Sequence, residues 1–271
     1  MERDLNKLSK SIYRPFPNVE GFSAYSEKSG EVCFLSFENN KSRVGYKLEI
    51  KPGGFVPKSG LIFSRYIESL VKGKRVLDMC TGETGILAIH SATCSASEVL
   101  GVDVERETVE WANHNGQLNG FSNIEWKVSD LFSNIDKRKF DVIISNPPQM
   151  PMVDGHIHDW GGINGRDFIE RIIKESSNYL ADGGQLFMLI FDFLGVDESY
   201  GDVMPLKDFF QIHGFDVKVV VRERRKVRKG GQTEKSIGYI LKQYPKYRFQ
   251  SEGDALFHEI FIVRAQLKGR H

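Results

Sequence analysis

The stretch that most narrows what this chain can become is Phe140-Asp141-Val142-Ile143-Ile144-Ser145-Asn146-Pro147-Pro148-Gln149. Four apolar residues around one aspartate, closed by a Ser-Asn-Pro-Pro turn, predict a buried parallel strand that stops abruptly. Proline lacks an N–H and fixes its own φ, and each proline holds the residue before it extended. Asn146 and Pro147 are thereby kept out of helix, and the Asn146 carboxamide is presented at the strand end with two nearby carbonyls. Ligands of open α/β sheets bind at the carboxyl ends of strands. A carboxamide held there can accept a hydrogen bond from a nitrogen about to react. The alternative is that Asn-Pro-Pro is only a stiff turn.

Three further strand ends carry acids. Lys74–Met79 predicts a short strand, Cys80-Thr81-Gly82-Glu83-Thr84-Gly85 a tight turn and Ile86–Ala92 the opening of a helix. That order brings backbone N–H groups and a helix terminus toward a ligand. A pyrophosphate-binding turn would have three glycines; Cys80 stands in place of the first, leaving Gly82 and Gly85. Val99–Asp103 is the second strand, and Asp103 follows Asp78 by 25 residues. A carboxylate at this strand end can accept hydrogen bonds from two ribose hydroxyls, as it does in dinucleotide sites, so it points to an adenosine ligand. A helix over 105–119 leads to a third strand, Ile124–Val128, ending in Ser129-Asp130-Leu131-Phe132. Asp78 has a plainer reading as a cap on its own turn.

These residues resemble the class I S-adenosylmethionine (SAM) methyltransferases, among them the HemK-like, release-factor glutamine, enzymes. Asn-Pro-Pro followed by an aromatic is the active-site motif of those that modify planar nitrogens, such as glutamine amides and adenine N6. Asp78 to Gly85 resembles their Asp-x-(Gly or Cys)-x-Gly motif, with the last glycine one residue late. Gly162-Ile163-Asn164-Gly165-Arg166-Asp167 resembles the Gly-x-x-Gly-Arg segment of the glutamine enzymes. The resemblance covers roughly residues 50–195. It implies a Rossmann-like α/β fold with a seven-stranded, mostly parallel sheet and helices on both faces, and SAM as cofactor.

The resemblance also implies roles. Asp78, Cys80, Thr81, Gly82 and Gly85 would hold the methionine end of SAM, with Asp78 facing its cationic group through water. Asp103 would hold the ribose, and Asp130 and Leu131 the adenine. Phe55, in the loop 51–57, would be a lid over SAM or else an ordinary hydrophobic plug. Asn146 and the Pro147 carbonyl would be catalytic, and Pro148, Gln149 and Trp160 would meet the substrate. Gln149 stands where most of the family carry Tyr or Phe, and Trp160 or Phe55 would then supply the missing ring.

The 271 residues allow one large α/β domain with a small attachment. We expect an arm and β-hairpin over 1–50, the hairpin formed by 31–37 and 43–50, and a catalytic domain over 51–271. A helix from a Ser59 cap to about Lys72 follows the loop. Later elements are a helix from Asp167 to about Leu180 ended by Ala181–Gly184, a strand over 185–191, a helix over 203–213, and strands over 215–221 and 257–263. The net charge of +1 gives no global attraction to nucleic acid or membrane. No run is long and apolar enough to span a bilayer, and Met1–Asp4 lacks the core of a signal peptide. Cys33, Cys80 and Cys94 form no CxxC pair, which argues against a zinc site or disulfide framework. The expectation is a soluble, reduced, cytoplasmic protein.

Two local features remain. His156, His158 and Asp159 suggest a metal at first sight, but lie on one loop without further ligands and read better as a substrate-facing segment, so no metal is expected. Arg222–Lys229 has six bases and one acid. It reads as a charged edge strand or loop, or as a track for phosphate backbone. Three functions therefore stand. The first is N-methylation of a protein amide, making a protein the expected partner; the second is N6-methylation of adenine in RNA or DNA through Arg222–Lys229. The third is non-methylating nucleotide binding, which the missing glycine disfavours.

Overall fold

The computed structural model describes residues 45–268 except Gly53, Phe55, His156 and Ile157, together with the backbone of three earlier strands. Those are β1 (Arg14–Pro15), β2 (Phe22–Ser29) and β3 (Val32–Asn39). With β4 (Gly45–Ile50) they form a four-stranded antiparallel sheet. The expected hairpin is β3–β4, shifted by one or two residues. Within the part expected to be an arm, β2 pairs along its whole length with β3, while residues 1–13 and 16–21 lie outside the described residues. Alternating Tyr46, Leu48 and Ile50 turn one face of β4 into the protein.

The rest of the chain begins with α1 (Lys58–Val71), whose Leu61, Ile62, Phe63, Ile67 and Val71 are buried. Ser59 lies inside this helix and caps nothing; Pro57 precedes it, and its carbonyl accepts the Leu61 N–H. There follow β5 (Arg75–Met79), α2 (Ile86–Thr93), β6 (Glu98–Asp103), α3 (Arg106–Leu118), β7 (Ile124–Val128) and β8 (Phe140–Ser145). The remainder is α4 (Asp167–Ser176), β9 (Leu180–Phe191), α5 (Leu206–Ile212), β10 (Phe215–Lys226), α6 (Gln232–Gln243), β11 (Gln250–Glu252) and β12 (Ala255–Leu267).

The sheet order is β10-β12-β9-β8-β5-β6-β7, the expected seven strands, with short β11 added on β12. Strands β5 to β9 run parallel, while β12 is antiparallel to β9 and β10. Alternate residues feed two cores. Leu77, Met79, Ile143, Leu186, Met188, Ile190, Phe261 and Val263 face one with α4 and α5. Val76, Val142, Ile144, Phe187, Leu189, Ile260 and Ile262 face the other with α1, α2 and β4. Burial on both faces explains why these strands read as continuous apolar runs.

Asn115 on α3 and Asn119 at its C-cap dock β4. Asn119 accepts the Lys47 N–H (2.8 Å) and donates to its carbonyl (2.7 Å), and Asn115 does the same for Glu49 (2.7 and 3.1 Å). Each carboxamide takes the place of a peptide group and closes the strand edge.

One expectation is corrected, and the edge-strand reading of the basic run holds. Helix α4 ends at Ser176, and Ala181–Gly184 belong to β9. The register shift between Phe140 and Val142 accommodates them, with Gly183 at φ +74 supplying the left-handed turn of this irregularity. The basic run, in turn, extends edge strand β10 to Lys226, with a bulge between Val219 and Val221. Arg222 lies 4.3 Å over the Phe261 ring and pairs with Asp197; Arg224 lies 3.7 Å over Phe257 and pairs with Glu252. Glu223 takes Arg65 of α1 at 2.9 Å. Two of the run's six bases, Arg222 and Arg224, are thus engaged by acids from other elements.

Candidate functional site

From β5 the chain moves outward to β6 and β7, then returns to β8 on the other side. This is the topological switch at which open sheets bind ligands. The strand ends are tied together there: Thr81 N–H donates to Val102 O (2.9 Å), Ser129 N–H to Asp103 O (2.8 Å) and Ser145 Oγ to Met79 O (2.9 Å). The cleft above has a volume of about 200 Å³. Its walls include Cys80, Thr81, Gly82, Asp103, Asp130, Leu131, Asn146 and Pro148, eight of the residues singled out in the sequence.

Two of these adopt left-handed backbone without being glycine: Cys80 at φ 61 and Leu131 at φ 49. Each such residue costs about 1–2 kcal/mol, and conformations of this kind gather at functional sites. Asp103 accepts the Gly82 N–H (3.0 Å) and the Val104 N–H (2.9 Å), which fixes its carboxylate against the cleft. Burial raises its pKa, against the lowering effect of these donors. Asp130 is taken at 3.0 Å by Arg171 of α4. A Cβ on Gly82 would meet no atom within 4 Å, so this turn leaves open space above it.

Asp78 and Gly85 lie behind this wall. Asp78 is fully buried and accepts from the Thr81 hydroxyl (2.6 Å) and the Ala88 N–H (2.9 Å), pinning the turn to α2. Its Oδ1 has no partner. Burial outweighs both donors and pushes its pKa up to about 7. An acid that holds its proton more tightly when folded stabilises the protein fully below about pH 4, and that stability is lost as pH rises through about 7. The unfolding free energy of the wild type, measured relative to Asp78→Asn, should accordingly fall by up to roughly 4 kcal/mol between pH 4 and pH 8.

Gly85 precedes α2 at φ 61, and a Cβ there would lie 2.5 Å from Trp126 Cη2. Gly101 and Gly116 approach the same indole. Gly85→Ala combines backbone strain with overpacking and should cost about 2–5 kcal/mol in urea unfolding. Gly82→Ala, strained but unobstructed, should cost about 1–2 kcal/mol.

Beyond β8, Asn146 is half-buried and lines the cleft while Pro147 is buried beneath. The structure corrects the expected substrate role of Gln149. Its side chain is 3 % exposed and turns into the sheet, donating to Pro147 O (3.3 Å) and Leu189 O (3.0 Å) and accepting the Phe191 N–H (2.8 Å). Trp160 also stays off the cleft: its Nε1 donates to Met152 O (3.1 Å), and its ring meets Phe168 edge-on. Phe55 lies outside the described residues. Among the described residues, the aromatic ring in the cleft wall is Phe168, at the start of α4. His158 joins it, reaching across to Glu105 at 3.2 Å. The sequence signal for Phe168 was its place one residue inside the Gly-Arg-Asp helix start. Arg166 of that motif is 1 % exposed and structural, bonding Glu170 and Met204 O. Among the described residues no cluster suits a metal, and no helix is long and apolar enough to cross a membrane.

Residues 59–219 match the methyltransferase small domain. A Methanocaldococcus jannaschii protein named for protein N5-glutamine methyltransfer is 34% identical over 187 residues, 66% of this chain and 89% of its own length. The release factor glutamine methyltransferase of Thermodesulfovibrio yellowstonii is 25% identical over 242 residues, 80% of this chain and 84% of that one. Among solved structures, the 16S rRNA N2 methyltransferase of T. thermophilus, in complex with AdoMet and guanosine, superposes with a TM-score of 0.52. It shares 16% identity, covering 92% of this chain and 51% of that one, and the likeness is one of fold. Motif, sheet order and family match agree, and the chain belongs to the methyltransferase small-domain family of class I methyltransferases.

Proposed function

We propose that this protein methylates the side-chain amide nitrogen of a glutamine in a protein acceptor, with SAM as the methyl donor. The observation that carries the reading is Asn146, held by two prolines at the carboxyl end of β8 and facing the same cleft as Asp103. The N5-glutamine relatives favour a protein acceptor over adenine. The engagement of Arg222 and Arg224 by Asp197 and Glu252 weakens the case for a nucleic-acid track.

The cleft suits SAM on its own evidence. Asp103 offers carboxylate acceptors for ribose hydroxyls, Leu131 an apolar surface with Asp130 beside it for adenine, and Cys80–Gly82 an open turn for the methionine end. The orphaned Asp78 Oδ1 is an acceptor behind that turn. When bound, SAM supplies an electrophilic methyl group on a sulfonium.

The protein's own task is to make an amide nitrogen nucleophilic. Its lone pair is delocalised into the carbonyl, so an unassisted amide attacks poorly. Asn146 Oδ1 and the free lone pair of Pro147 O accept its two N–H bonds, drawing the nitrogen out of conjugation and stabilising the positive charge that develops. The prolines keep both acceptors in place before the acceptor arrives, so positioning carries most of the catalysis. As the N–CH3 bond forms the S–CH3 bond breaks and leaves a neutral thioether, and the cationic amide then loses one N–H proton to water, so no general base need act before transfer.

The test is transfer of radiolabelled methyl from SAM into fractionated cell extract. The reading expects label in protein that disappears with Asn146→Ala. Label confined to RNA or DNA would replace it with the adenine reading.

A further inference from the structure

We propose that Gln149 is a positioning residue for methyl transfer, locking the Asn146–Pro148 turn onto the end of β9 and so setting where the two acceptor oxygens lie. The inference rests on the methyl-transfer reading above and extends it to a residue that does not touch the cleft.

The parallel ladder between β8 and β9 runs from Val142–Gln185 to Ser145–Met188 and stops there. Pro147 and Pro148 have no N–H to continue it. The β9 groups beyond, Leu189 O and Phe191 N–H, would be left facing an extended but donor-poor segment. Leaving buried peptide groups unpaired is costly. The Gln149 carboxamide meets both, donating to Leu189 O at 3.0 Å and accepting from Phe191 N–H at 2.8 Å. It stands in for the peptide group that the prolines cannot supply.

Its remaining N–H donates to Pro147 O at 3.3 Å. One side chain therefore binds both the catalytic turn and the strand next to it. The contact occupies one of the two lone pairs of Pro147 O. From the other side, Gly161 and Gly165 press on the Gln149 backbone: a Cβ on Gly161 would lie 2.5 Å from Gln149 Cα, and one on Gly165 2.7 Å from Gln149 O. The turn is held between a polar lock and a glycine-lined loop.

Gln149→Met keeps the volume and removes all three bonds; Gln149→Glu keeps the shape and turns a carboxylate toward two carbonyl oxygens. For Gln149→Met we expect turnover about 50-fold lower, with SAM affinity and acceptor KM within threefold of wild type. For Gln149→Glu we expect a comparable loss at pH 8 and recovery of about tenfold toward pH 6, as the carboxyl gains a proton to donate; the wild type should show no such acid recovery. Should Gln149→Met fail to fold, the acid recovery of Gln149→Glu decides. Turnover within threefold of wild type in Gln149→Met would overturn the proposal, as would a loss matched by an equal loss of SAM affinity. If the wild type transfers no methyl, the methyl-transfer reading fails, and nitrogen NMR of the Asn146 side chain then decides whether Gln149 sets the turn. Its resonance shifts in Gln149→Met if the lock is real and stays unmoved if it is not.

Discussion

Asn146→Ala is expected to reduce methyl transfer about 10²–10³-fold at saturating SAM, the range found when one preorganised polar contact to a transition state is removed. SAM affinity should stay within about threefold, because in the proposed mechanism Asn146 offers its oxygen to the acceptor nitrogen, while the residues proposed to hold the cofactor lie at the ends of β5, β6 and β7. Folding should be little affected, since the Asn146 side chain is half-buried at the cleft wall and the prolines hold the backbone without it. Single-turnover rates measured beside isothermal titration of SAM separate the two effects. A large loss of SAM binding would place Asn146 among the cofactor contacts.

Asp103→Ala is expected to do the reverse. Its carboxylate faces the cleft, already oriented by the N–H groups of Gly82 and Val104 at 3.0 and 2.9 Å. Two charge-assisted hydrogen bonds to ribose hydroxyls, at about 1.5–3 kcal/mol each, correspond to a 10²–10⁴-fold weaker Kd for SAM when they are lost. The Gly82 turn also loses its anchor, which favours the upper part of that range. Turnover at saturating SAM should fall by no more than about tenfold, because the acceptor side of the cleft is unchanged. Since burial raises the Asp103 pKa, wild-type affinity for SAM should decline toward acid pH as the carboxylate is neutralised. Titration of SAM into both proteins across pH tests this. An unaltered Kd would move the ribose contact to another group.

The strand ends were legible because each couples two signals along the chain: an apolar run buried on both faces, then a polar residue where burial stops. Asp103, Asp130 and Asn146 all reach the cleft in the order the sequence implied. Asp78 carries the same signal yet lies one layer deeper, because its hydroxyl and amide donors, Thr81 and Ala88, face inward. Nothing local distinguishes the two cases. Gln149 shows the same limit more sharply. A polar residue after a Pro-Pro turn reads as exposed, and only the unpaired end of β9, 40 residues later, makes the interior its place.

Side chains brought in from afar were hardest to see. Phe168 reaches the wall through the docking of α4, and His158 through a contact with Glu105 that no spacing announces. The basic run beyond Val221 was ambiguous for a related reason. The acids that meet its bases are Asp197 and Glu252 from other elements, and Glu223 of the run itself, which faces Arg225 and is shared with Arg65. Composition records the charges, and only the fold shows how far they are matched.

The central claim is that the methyl group lands on a glutamine amide nitrogen and that Asn146 brings this about. It is tested most directly by tandem mass spectrometry of the protein labelled by wild-type enzyme, with Asn146→Ala as the control. The account predicts one added methyl on a glutamine side chain, present with wild type and absent with Asn146→Ala. A methyl on any other atom, or on glutamine at the same level with both proteins, would contradict it.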